Sequence, residues 1–230
     1  MNKAGVVMLA GMVLMSAGCA SIKPEKAGFY RTASVARVPA EKVEALKAKC
    51  AELEASGNIR RGGLYLREIE GETYIFQYLE NCKGAGSLSA ETLAKEETCF
   101  EPMERIFYEA GAADKTPVAN VKRIAMFTEL KPGKEAHYRL LHDNPWPDVT
   151  AAIKKANFRH FSIFLEEING HVYLFGWLEY VGKDIAADGA ENKKDPASIR
   201  WWKETDACQI ATDDAGDGMW GGMKEILFAD

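Results

Sequence analysis

The chain has 230 residues and a formal net charge of -5, with 47% hydrophobic and 27% charged residues. That balance excludes a disordered chain and leaves room for two domains of ordinary size. Lys and Arg are spread along the chain instead of gathering in a basic patch, which excludes nucleic acid as a partner.

The first residues read as an export signal. Lys3 precedes an apolar run through Val6, Leu9, Val13 and Leu14 that is too short to span a bilayer and is followed by small residues. The segment Met15-Ser16-Ala17-Gly18-Cys19 resembles a bacterial lipobox, although Ser16 stands where Leu is commonest. The resemblance implies that residues 1–18 are a lipoprotein signal peptide, that the thiol of Cys19 carries lipid, and that residues 19–28 tether the protein to a membrane. Ala20, instead of Asp, directs such a lipoprotein to the outer membrane of the cell envelope, facing the periplasm. Of the remaining cysteines, Cys82 and Cys99 would close one polar loop if joined, and their spacing leaves a disulfide open. Cys50 falls on an apolar helix face and reads as a buried thiol. There is no Cys/His spacing suited to a metal and no glycine-rich phosphate loop, so neither metal nor cofactor is expected.

Phe29 to Val38 reads as a strand. Pro39 then opens a helix carrying Val43, Leu46, Cys50 and Leu53 at helical spacing, with Gly57 past its end. Strands Gly63 to Ile69 and Thr73 to Glu80 meet at the turn Glu70-Gly71, a helix is expected within Ala90 to Met103, and a short strand follows at Ile106 to Tyr108. The order βαββαβ is that of a ferredoxin-like unit. Residues 111–120 read as a linker. The order then recurs: strand Arg123 to Leu130, helix from Pro132, strands Phe161 to Ile168 and Val172 to Tyr180 about Asn169-Gly170, helix around Ile199 to Ile210, and strand Met223 to Phe228. An offset of 99 residues superposes Leu66 on Leu165, Gly71 on Gly170, Tyr74 on Tyr173, Phe76 on Phe175 and Glu80 on Glu179. The expected fold class is α+β, with two tandem ferredoxin-like units at residues 29–110 and 121–230. A sheet with helices on one face leaves the other bare, so the units are expected to pair through their sheets as an internal pseudo-dimer resembling a dimeric α/β barrel.

Only the second unit carries Tyr138, His142, Trp146-Pro147 and Trp201-Trp202. Tyr138 and His142 lie four apart on one helix and share a face. Pro145 and Pro147 redirect the chain, leaving an indole at the bend. Histidine can give and take a proton near neutral pH, and tryptophan faces stack on the C–H faces of a sugar ring. On residue types alone the balance favours a plain helix-face pair and core tryptophans. His137, His160 and His171 have no partners at ligand spacing and read as structural or surface residues, and Glu80 and Glu179 as structural strand-end residues common to both units.

The string Tyr138-x3-His142-x3-Trp146-Pro147-Asp148, the strand Phe161-Ser162-Ile163-Phe164-Leu165, and Arg200-Trp201-Trp202-Lys203 together resemble the L-rhamnose mutarotase family over about Arg123 to Phe228. The resemblance implies a ferredoxin-like subunit that pairs through its sheet and exchanges the α and β anomers of L-rhamnose or a related monosaccharide without a cofactor. It implies His142 as the proton donor and acceptor, with Tyr138, Trp146, Phe161, Trp201 and Trp202 binding the sugar. Phe161 stands where the family usually has a tyrosine, and Asp143-Asn144-Pro145 rearranges the link from the histidine to the Trp-Pro pair. An isomerase is therefore expected, with a non-catalytic carbohydrate-binding or structural envelope lipoprotein as the alternative.

Overall fold

The computed structural model describes residues 29–48, 59–82, 100–112 and 121–229. Cys19, Cys50, Cys99, the signal peptide and the tether lie outside these residues, as do most of the 111–120 linker and of the helix expected within Ala90 to Met103.

In the N-terminal half, strand β1 (Phe29–Arg37) leads through a 3-10 turn at Ala40–Lys42 into helix α1 (residues 43–48), then into the hairpin β2 (Ile59–Ile69) and β3 (Glu72–Cys82). Residues 100–103 are not helical, contrary to the expected helix end. Glu101–Pro102 form a short strand β4 beside Val35 and Ser34, an edge position where proline's missing N–H costs nothing. Strand β5 (Glu104–Gly111) follows.

The C-terminal half runs β6 (Lys122–Leu130), α2 (Glu135–Asp143), α3 (Pro147–Lys155), β7 (Phe158–Ile168) and β8 (His171–Tyr180). It continues with α4 (Ile185–Asn192), α5 (Pro196–Asp206), the short strands β9 (Gln209–Ile210) and β10 (Gly221–Gly222), and β11 (Lys224–Ala229). Three local expectations change. Helix α2 starts beyond Pro132 because Gly133 adopts φ +74°, outside the helical region. The prolines at 145 and 147 end one helix and begin another, with Pro147 at its first position, where no N–H is needed. Helix α5 begins at Pro196 and not near Ile199, because the Asp195 carboxylate accepts the backbone N–H groups of Ala197 and Ser198. Asp184 caps the unexpected α4 in the same way, on Ala186 and Ala187. Ile210 then lies in β9.

Both hairpin turns obey the local chemistry. Glu70 and Gly71 have φ of 53° and 81°, and Asn169 and Gly170 have 53° and 83°, the paired positive values that match the twist of a two-residue hairpin. The two turns also meet, since Asn169 Nδ2 donates to Glu70 Oε2 at 2.8 Å.

The strands form two sheets, ordered β11-β2-β3-β1-β4 and β10-β6-β8-β7-β5, with β9 also beside β6. Each sheet takes an outer strand from the other half of the chain. β5 pairs antiparallel with β7, setting Phe107 opposite Ile163, and β11 pairs with β2, setting Leu227 opposite Leu64. The class is mixed α+β and dominated by sheet.

One core lies between the sheets. Alternate residues of each strand point into it, so Tyr65, Phe76 and Tyr78 meet Phe164, Phe175 and Trp177. Tyr78 stacks on Trp177 with centroids 3.8 Å apart, and the Trp177 indole donates to the Tyr65 hydroxyl at 2.8 Å. Aromatic contacts of this kind are worth about 0.5–1.5 kcal/mol each beyond the area they bury. Burial pushes the Tyr65 phenol well above its usual range, against the lowering effect of the indole bond, so it stays protonated at physiological pH. Glu80 and Glu179 close this layer as buried ion pairs, with Arg31 (3.0 Å) and with Arg159 respectively, which is the structural role read from their equivalent positions. The other faces of the two sheets carry the helices and separate hydrophobic clusters.

Candidate functional site

The residues singled out in the C-terminal half gather on the helix side of the second sheet. Helix α2 buries Tyr138 and His142, one turn apart. Their rings stack at 4.2 Å and 28°. Helix α5 buries Ala197, Trp201 and Thr205 at a spacing of four, so Trp201 faces inward while its neighbour Trp202, about 100° further round, sits half-buried at the margin. Trp201 presents an edge to His142 at 5.2 Å and to Trp146 at 5.4 Å. Trp146 caps the start of α3 and is also half-buried. The cluster thus has a buried centre of Tyr138, His142 and Trp201 and a partly open rim of Trp146, Trp202 and Phe161.

His142 Nδ1 lies 2.9 Å from the carbonyl oxygen of Tyr138. A carbonyl can only accept, so Nδ1 carries the proton and Nε2 of the neutral ring carries a lone pair. Burial pushes the imidazole pKa down to about 4, against small opposing effects of that carbonyl and of Asp143. The resting group at neutral pH is therefore an uncharged base of fixed tautomer. The Tyr138 phenol is driven well above its usual range by burial and stays protonated. It supports the imidazole by stacking, while its carbonyl, not its hydroxyl, makes the hydrogen bond.

Residue types alone did not single out Phe107. It stands on β5, in the N-terminal half, and presents its ring edge to His142 at 5.2 Å and 82° and to Phe161 at 5.5 Å and 83°. Trp220 is a second omission. It packs on the same cluster, and a Cβ at Gly176 would come within 3.3 Å of its ring and 2.7 Å of Met126, so glycine is what admits this close cover. Neither contact has a local sequence signal, because both partners come from distant segments.

His160 takes the structural place expected of it. It is buried at a bulge with φ +55°, where it accepts Arg31 Nη2 at 3.2 Å and the Tyr108 hydroxyl at 3.1 Å through Nδ1. His171 is exposed against Glu129 (2.7 Å), which raises its pKa, and His137 lies at the surface 4.0 Å from Glu204. Cys208 is free and buried in the cluster under α2, and only the backbone of Cys82 is described. Among the described residues no group of three or more His, Cys, Asp or Glu side chains is placed to hold a metal ion.

The L-rhamnose mutarotase family pattern matches residues 123–228, the half that holds this cluster. The L-rhamnose mutarotase of Leptothrix cholodnii is 34% identical over 82 residues, covering 36% of this chain and 73% of that protein. The chain belongs to the L-rhamnose mutarotase family. The Mesorhizobium japonicum mutarotase is 31% identical over 84 residues (36% of this chain, 74% of that protein), and the Bacillus subtilis mutarotase 29% identical over 118 residues (48% and 100%). The mutarotase match thus falls on the C-terminal half. The fold extends further. Crystal structures of a putative monooxygenase from Lactobacillus acidophilus and of another from Fusobacterium nucleatum subsp. nucleatum both give a TM-score of 0.51, at 15% and 9% identity. They cover 86% and 87% of this chain and 95% and 93% of their own, and speak to fold alone.

Proposed function

We propose that the protein exchanges the α and β anomers of L-rhamnose or a closely related aldose, with His142 as the acid/base group. The observation that carries this reading is the neutral imidazole of fixed tautomer, set among aromatic rings in the half of the chain that matches the mutarotases. Nε2 takes the proton of the anomeric hydroxyl and returns it to the ring oxygen as the C1–O5 bond breaks and C1 becomes a carbonyl. Both oxygens are bonded to C1, so one nitrogen serves both. Rotation about C1–C2 and the reverse transfer close the ring on its other face. A low pKa makes the imidazolium a strong proton donor once formed, and a positioned histidine contributes roughly a hundredfold to ten-thousandfold to such transfers. Trp146, Trp201 and Trp202 are assigned to the apolar face of the sugar and Tyr138 to the support of the imidazole.

The N-terminal half is read as a degenerate tandem unit that serves as a built-in dimer partner. The lipobox-like segment assigns the protein to the outer membrane through Cys19, and Cys19→Ala is expected to release it from the membrane fraction.

The decisive experiment is saturation-difference NMR of anomer exchange with the full chain in mild detergent. Wild type is expected to accelerate L-rhamnose exchange, and folded His142→Ala to fall to the spontaneous rate. An unchanged rate in His142→Ala refutes the role of His142. Sugar binding without acceleration in wild type selects the alternative, a carbohydrate-binding lipoprotein, which Phe161 favours because it removes a hydroxyl the family usually supplies.

A further inference from the structure

The site assigned to the C-terminal half is walled by the N-terminal half. Phe107 is buried and touches His142 and Phe161 edge-on. Three residues earlier on β5, Glu104 holds the guanidinium of Arg139 through two bonds of 2.7 and 2.9 Å. Arg139 follows Tyr138 in helix α2 and also binds Glu135, four residues back, at 2.8 Å. A planar guanidinium gripped by two oxygens fixes orientation as well as distance. Further along β5, Glu109 lies 3.8 Å from Lys154 at the end of α3. One strand therefore anchors the helix that carries the imidazole, reaches the helix that follows, and inserts a phenyl ring against the imidazole itself.

We propose that the N-terminal half completes the sugar site through this exchanged strand, with Phe107 as a positioning residue that holds His142 in place and excludes water from it. The inference rests on the mutarotase reading for its link to turnover, but the effect on His142 can be measured without any sugar. Burial is what lowers the His142 pKa, so loss of the phenyl ring must act on that pKa directly. The ionisable groups bearing on the imidazole are few. Tyr138 and Asp143 lie on its own helix, and the ring contacts from β5 and α5 are Phe107 and Trp201, which do not titrate.

The test is NMR titration of His142 in wild type, Phe107→Ala and Phe107→Leu, alongside anomer exchange. Phe107→Ala is expected to raise the midpoint from about 4 toward 6.5. It is also expected to slow exchange roughly tenfold to a hundredfold, the loss expected of a displaced catalytic group. Phe107→Leu, which keeps an apolar side chain at the position, is expected to recover most of both. If Phe107→Ala does not fold, Phe107→Val serves, since it removes the edge contact and still suits a strand. A midpoint that stays near 4 in a folded variant overturns the inference, whether or not the rate falls. Were wild type to accelerate no sugar, the mutarotase reading would fail while the titration still decided the place of Phe107.

Discussion

Outside the first sheet, Ala36, Val38, Val43, Leu46, Leu64 and Ile75 pack with Phe100 into a small apolar cluster. Outside the second, the corresponding space holds Tyr138, His142, Trp201 and Phe107, with Trp146, Trp202 and Trp220 around them. The strands beneath are related by the same offset, Leu64 by Ile163 and Ile75 by Leu174. Among the described residues, the buried cluster of the first layer is apolar and offers no side-chain proton donor or acceptor. The other layer accepts the cost of burying an imidazole, and it is the layer that matches the mutarotases. The backbone plan therefore carries no function by itself, and the helices laid on it decide whether a site exists.

Separating the halves should break the comparison most severely. Residues 121–230 alone would lose β5 from the edge of β7 and uncover Phe164, Phe175 and Trp177. Such a fragment is expected not to persist as a folded monomer, and light scattering with circular dichroism would show it unfolded or self-associated. A stable monomer would mean that the halves are independent.

Converting the equipped layer toward the filled one is the next test. His142→Leu is expected to abolish catalysed exchange and to remove an acid sensitivity. The folded pKa, about 4, lies below the ordinary 6.5, so the unfolded chain binds more protons between these values. Wild-type stability should fall as pH drops from 6.5 to 4, by on the order of 3 kcal/mol, and this term should change no further below the folded pKa. The variant should lack that component in denaturation measured across this range. An identical slope in both proteins would contradict the burial of His142.

A smaller effect is expected at the ties between halves. Arg67 of β2 grips Asp214 through bonds of 2.7 and 2.8 Å and holds its carboxyl well below the usual range. The Asp214 side chain is half exposed, so Arg67→Ala should cost about 1 kcal/mol or less after solvent screening. Its sign is that of a depressed carboxylate: the stabilisation is present above the ordinary Asp range and lost as pH falls through the lower folded pKa. Urea midpoints at pH 7 and pH 3 would measure it, and no difference between the proteins at pH 7 would show that the tie contributes nothing.

Much of this architecture could be read locally. Glu70-Gly71 and Asn169-Gly170 declared the two hairpins because their backbones need positive φ, and the spacing of Tyr138 and His142 declared a shared face. Helix α4 was missed although Asp184 is a strong cap, since Ala186, Ala187, Gly189 and Ala190 show no apolar period. The helix expected to reach Met103 could not be told from an edge strand at Glu101-Pro102, which is stabilised by β1 and not by its own residues. At the site, Trp201 and Trp202 were legible as a pair but not as one buried and one marginal ring. That depends on which side of α5 meets α2 and α3.

By itself, then, the sequence determined the hairpins, the helix that carries the imidazole, the repeated alternation of the strands and the family of the C-terminal half, because each depends on near neighbours or on a motif. Only the tertiary structure decided that β5 and β11 change sheets, that Phe107 and Trp220 reach the cluster, and that His142 is held neutral. Strand exchange is a choice between two edges with similar hydrogen-bonding capacity, and a depressed pKa depends on what covers the ring. Both are settled by residues far away in the chain, whose contacts no local pattern encodes.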